Sequence, residues 1–158
     1  MKRIFWLISL SILISCESSN QLKEIEILTY YNSARSFIIY SNIDKNGFTE
    51  VLFKPEESEN IDNCQIRIRK SLMDSIVNIC KNKNDEDFTF KSSKRIWYCG
   101  LWHSVKITYE NGKTIMFTYP RANNENKQFF PFQSLSKQIQ NDSLKATRLN
   151  LGQYGKIS

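Results

Sequence analysis

Few side chains in this 158-residue chain are placed to do chemistry. His103 is its sole histidine and follows Cys99 by four residues. A thiol and an imidazole can serve as nucleophile and base. Such a pair also needs a third group to orient the imidazole, and none is identifiable here. Zinc asks for about four ligands. Cys64, Cys80, Cys99 and His103 reach that number, but no paired Cys-x-x-Cys spacing accompanies them. Asp85, Glu86 and Asp87 concentrate negative charge without the glycine and ligand spacing of a calcium loop, and read as a solvated turn. The 5 glycines are scattered, so no phosphate-cradling loop is present. The expectation is therefore no catalytic residue, no metal site and no cofactor, in a protein that is not an enzyme.

A denser signal lies in the aromatics. Trp97, Tyr98, Cys99, Gly100, Leu101, Trp102 and His103 follow one another without a break. Tryptophan and tyrosine bury a large area while keeping one polar handle, so they dominate both cores and contact surfaces. They also stack on sugar rings. Trp97, Tyr98, Trp102 and His103 are the candidate binding residues, with packing at a strand connection as the alternative. Phe129, Phe130, Pro131 and Phe132 carry the same two readings.

The first 16 residues are more specific. Met1, Lys2 and Arg3 form a positive start, and Ile4 to Ile14 an apolar run interrupted only by Ser9 and Ser11. That run is shorter than the roughly 20 residues needed to cross a bilayer. Its charge and length are those of an export signal. Leu13-Ile14-Ser15-Cys16 then resembles the lipobox of bacterial lipoproteins. The resemblance covers residues 1–16 and implies cleavage before Cys16, a thioether-linked diacylglycerol on its sulfur, and acylation of the new N-terminus. Two or three acyl chains, at about 0.8 kcal/mol per buried methylene, hold a protein on a membrane almost irreversibly. Glu17 to Asn20 continue as a polar tether. A glutamate after the lipid cysteine is unlike the aspartate of inner-membrane retention, and the Ile, Asn and Lys content looks like that of Bacteroidota or another AT-rich genome. Both lean toward the outer membrane.

Cys16 being assigned to lipid, Cys64, Cys80 and Cys99 remain for an oxidising envelope. Cys80 falls on the apolar stripe of a predicted helix and can be a small buried hydrophobe. Cys64 and Cys99 stand near strand ends and are the preferred disulfide pair. The chain has 22 basic residues against 16 acidic ones, with Lys2 and Arg3 in the signal. The densest basic stretch, Arg67, Arg69 and Lys70, is short, so no nucleic-acid partner is expected.

Alternation predicts strands at Leu22–Tyr31, Ser36–Asn42, Phe48–Lys54, Ser104–Glu110 and Lys113–Tyr119. Asp44-Lys45-Asn46-Gly47 and Asn111-Gly112 are hairpin turns. Arg95 to Tyr98 is expected to be extended, and Gln65 to Arg69 to add a short strand. A helix begins at Ser71, whose spacing to Asp74 is that of a capping box; Leu72, Ile76 and Cys80 mark its apolar face. Phe132, Leu135 and Ile139 mark a second helix over Phe132–Leu144. The predicted fold is α+β, an antiparallel sheet of about five strands with two helices on one face, in the order βββαββα. The predicted divisions are a signal at 1–15, a lipidated tether at 16–21, one domain at 22–144 and a loosely ordered tail at 145–158. The layout resembles small lipoprotein domains of unknown function from Bacteroidota. It implies a membrane-anchored binding protein of the envelope, its partner an envelope protein or a glycan, or else a toxin-immunity lipoprotein.

Overall fold

The computed structural model describes residues 21–31, 37–54, 61–82, 85–89, 100–120 and 127–154. Six strands form one antiparallel sheet: β1 (Leu22–Tyr31), β2 (Phe37–Asp44), β3 (Phe48–Phe53), β4 (Asp62–Arg67), β5 (Leu101–Tyr109) and β6 (Thr114–Pro120). Helix α1 (Lys70–Asn82) lies between β4 and β5, and α2 (Phe130–Tyr154) follows β6. The spatial order is β4-β3-β2-β1-β5-β6. The first strand is thus central, hydrogen-bonded to β2 on one side and β5 on the other.

The predicted five-strand order βββαββα gives way to ββββαββα. The added strand is β4, which lies at Asp62–Arg67 rather than the expected Gln65–Arg69 and whose sequence Asp-Asn-Cys-Gln-Ile-Arg has little hydrophobic alternation. Pairing supplies what its composition lacks: every residue from Asp62 to Arg67 faces a partner on β3. As an outer strand it turns only Cys64 and Ile66 toward the core. Helix α2 runs from Phe130 to Tyr154, longer at both ends than the predicted Phe132–Leu144.

One face of the sheet holds the core. Ile25, Ile27, Ile43, Val51, Val105, Ile107, Ile115 and Phe117 are buried there, as alternation predicts. Met73, Ile76 and Cys80 of α1 and Phe132, Leu135 and Ile139 of α2 join the same cluster, so both helices cover this face. Each fully buried aliphatic side chain contributes about 1.5–3 kcal/mol. A stack of rings, Phe88 on Phe117 at 4.7 Å and Phe129 on Tyr119 at 5.1 Å, closes the β6 side.

Local chemistry sets the ends. The Asp44 carboxylate accepts the amides of Asn46 (2.8 Å) and Phe48 (2.9 Å), which shapes the β2–β3 turn, and Gly47 takes the φ of 82° that the turn requires. In the β5–β6 turn the Asn111 side chain accepts the Lys113 amide at 3.0 Å, and Gly112 also has φ 82°. Helix α1 starts two residues earlier than its capping-box spacing implies. The Leu72 and Met73 amides both donate to the Arg69 carbonyl, and the Ser71 carbonyl accepts the Ser75 hydroxyl from within the helix. Arg69, rather than Ser71, is the entry residue.

Candidate binding face

Both helices cover one face, and among the described residues no helix packs on the other side of the sheet. Strand register assembles that side. Tyr30 stands opposite Trp102; Leu28 lies between Tyr40 and Ser104; Glu26 lies between Asn42 and Lys106. Trp102, Tyr30, Leu28 and Tyr40 are half-buried, and Leu52 (39% exposed) and Met116 (69% exposed) extend the apolar area across β3 and β6. Aromatic and aliphatic groups predominate in the half of this face near Leu101, whereas in the half near Asp44 the exposed Met116 and Phe48 stand among Glu24, Glu26, Asp44, Glu50 and Lys106.

The charged half is organised around Glu26. Lys106 Nζ lies 2.6 Å from its Oε1, and the Tyr40 hydroxyl donates to its Oε2 at 3.0 Å. The Lys106 hydrogen bond, stronger than the opposing burial, holds the Glu26 carboxyl below its usual range. Burial first, then the neighbouring carboxylate, pushes the Tyr40 phenol up to about 12. Glu26 in turn raises Lys106. Around neutral pH the set is therefore a carboxylate, an ammonium and a protonated phenol. Both Glu26 oxygens are engaged, which suits a fixed polar anchor better than a proton-transfer group.

The candidate residues of the aromatic segment divide. Trp102 and His103 are successive on β5 and so point to opposite faces. Trp102 joins the open face. His103 turns into the core, 5% exposed, with Nδ1 2.9 Å from the Thr29 hydroxyl and its ring 5.1 Å from that of Tyr119. It cannot share a contact surface with Trp102, so its assignment to a binding surface is corrected to a core role. Trp97, Tyr98, Cys99 and Cys16 lie outside the described residues.

The cysteines are similarly dispersed. Cys64 is a free thiol on the outer strand β4, raised by burial and partly offset by a hydrogen bond with the Ser143 hydroxyl. Cys99, the expected disulfide partner of Cys64, lies outside the described residues. Cys80 is fully buried under the sheet, its thiol pushed up to about 12 by desolvation, and acts as a small hydrophobe. Among the described residues, no three His, Cys, Asp or Glu side chains come together to hold a metal ion.

Sequence reasoning missed Tyr30, Leu28, Tyr40, Glu26 and Lys106 as one surface. A signal was present: Leu28 and Tyr30 share strand parity with Glu24 and Glu26, placing apolar groups on the side that those glutamates mark as solvent-facing. No protein-family model matches this chain, and no curated protein matches it.

Proposed function

We propose that this chain is a membrane-anchored lipoprotein of the bacterial envelope, held by lipid on Cys16, whose domain binds another envelope protein without catalysing a reaction. The observation that carries the binding reading is the open sheet face, where Trp102, Tyr30, Leu28 and Tyr40 present an aromatic area beside the Glu26–Lys106 pair. A single uncovered sheet face is usually polar in an antiparallel sheet; buried area at a contact, ringed by fixed charges, is what an interface needs. The outer membrane is the proposed location, from the residues around Cys16.

A glycan ligand is the second reading. The Asn42 amide and Glu26 carboxylate beside Tyr40 and Trp102 combine stacking rings with hydrogen-bonding groups. The test is in-cell crosslinking of the C-terminally tagged chain with Cys16 intact. A partner captured by the parent and lost on Trp102→Ser and Tyr30→Ser, at unchanged melting temperature, supports the protein-binding reading. A partner that persists in both variants refutes the assignment of this face. Retardation of the parent in glycan-containing gels, abolished by the same substitutions, transfers the face to the glycan reading.

A further inference from the structure

One end of the sheet carries both the start of the folded chain and a basic rim. The Gln21 carbonyl, just before β1, accepts the Glu110 amide from the β5–β6 turn at 2.9 Å. Lys45 of the β2–β3 turn reaches Glu110 at 3.0 Å, and the Gly47 carbonyl accepts the Ile68 amide at 2.9 Å, just beyond β4. Gln21, both turns and the β4–α1 junction therefore lie together. Cys16 precedes Gln21 by five residues. Even fully extended, that stretch spans no more than about 18 Å. A lipid on Cys16 brings this end of the sheet within reach of the headgroups.

That end has the charge for it. Two adjoining clefts share Arg67 and Arg69, and their basic lining is Lys45, Arg67, Arg69, Lys70, Lys137 and Lys145. Their acidic lining is Asp74 and Asp142. Of the other acids nearby, Glu110 pairs with Lys45, Asp44 takes turn amides, and Glu24 and Glu50 line a third cleft here together with Lys23 and Phe48. Helix α1 begins here with no acidic residue in its first turn, so the positive end of its dipole adds to the rim. Phe48 stands at the same end, 56% exposed, with the Arg67 guanidinium 4.7 Å from its ring centroid. A guanidinium against a projecting ring, beside the basic lining of the two clefts, matches a bilayer interface, where anionic headgroups meet the first acyl carbons.

The geometry points to a second membrane contact, in which the Arg67, Arg69, Lys70 and Phe48 end of the sheet rests on anionic phospholipid headgroups. This rests on the lipoprotein reading above and deepens it: the lipid sets residence, and the rim sets orientation. With this end down, the strands stand away from the bilayer and the open face with Trp102 is presented sideways to a partner.

The test is hydrogen–deuterium exchange of the mature lipidated protein on vesicles of phosphatidylcholine, with and without phosphatidylglycerol. The expected result is protection of residues 44–49 and 67–73 on the phosphatidylglycerol vesicles only. It disappears in about 0.5 M salt, where charges are screened within a few ångströms. Arg67→Gln and Lys70→Gln each lower the docked population roughly fivefold. Equal protection on both vesicles, or protection centred on Trp102, overturns the proposal. So does protection of the same segments by soluble polyglutamate but not by vesicles. Lipidation is read independently from the intact mass. If the lipid is missing, salt-sensitive sedimentation with phosphatidylglycerol vesicles keeps the rim contact, and absence of sedimentation overturns it.

Discussion

Trp102 and His103 show how one residue step on a strand separates two roles. The His103 ring fills core space against Tyr119 and is the partner of the buried Thr29 hydroxyl. His103→Ala should cost about 2–4 kcal/mol, the sum of a cavity and a buried hydroxyl deprived of its partner. Urea unfolding measures this, and a loss below 1 kcal/mol, on the order of one exposed hydrogen bond, would contradict the core assignment. Glu26 makes a prediction of a different kind. Its folded carboxyl lies below the ordinary 4.5, so its contribution is present above that value and fades as pH falls through the lowered folded one. Lys106 has the opposite sign: raised above 10.5, it contributes fully below that value and loses its effect as pH rises through the folded one. The stability difference between parent and Glu26→Gln should therefore be largest around neutrality and shrink in acid. Denaturant unfolding at pH 7 and at about pH 3 reads it directly; a difference independent of pH would dissociate Glu26 from the linkage.

Among the elements, the two positive-φ glycines offer a controlled comparison. Both Gly47 and Gly112 have φ 82°, so a side chain at either position pays the same conformational penalty, about 1 kcal/mol. They differ in what a Cβ would meet. At Gly47 it would come 3.0 Å from Met73 Cγ and 3.3 Å from the Ile68 carbonyl oxygen; at Gly112 nothing lies within 4 Å. Gly47→Ala should lower the melting temperature more than Gly112→Ala, and an equal loss would mean that α1 yields without cost. The same distinction between local and distant causes explains what was legible. Strand β1 has the bounds its alternation predicts, and both hairpin turns sit where Asn and Gly place them, because those signals are local. Strand β4 is legible only as the short strand expected at Gln65–Arg69; its true span, Asp62–Arg67, depends on β3 rather than on its own polar residues. The entry of α1 at Arg69 depends on where β4 releases the chain, which no capping motif encodes. The open face was hidden for the same reason: Tyr30 and Trp102 are 72 positions apart and meet only through the β1–β5 register.

At the scale of the molecule, the order β4-β3-β2-β1-β5-β6 joins two local units, a four-strand meander and a hairpin, along the single seam between β1 and β5. The seam is a pairing of distant chain segments, and it also completes both faces of the sheet. On one face it brings Ile25 and Ile27 against Ile107 and Val105; on the other it builds the Tyr30–Trp102 and Glu26–Lys106 pairs. Because β1 is bonded on both sides, its amides can exchange only when the sheet parts at its centre, whereas β4 and β6 each have one unpaired edge. Native-state hydrogen exchange should rank β1 slowest, close to the global unfolding free energy, with β4 fraying first. Faster exchange in β1 than in β6 would mean that the two units separate before either melts. The ranking bears on anchoring. On the proposed anchoring through Cys16, a pull from the membrane would act on β1, which is hydrogen-bonded on both sides, rather than on an edge. Ile27→Ala, which empties a position 1% exposed at that seam, should cost about 2–5 kcal/mol. It should also accelerate exchange in β1 and β5 together, and should diminish capture of a partner at Trp102 without touching the face itself. Undiminished capture by a clearly destabilised Ile27→Ala would show that the contact does not depend on the two units being joined.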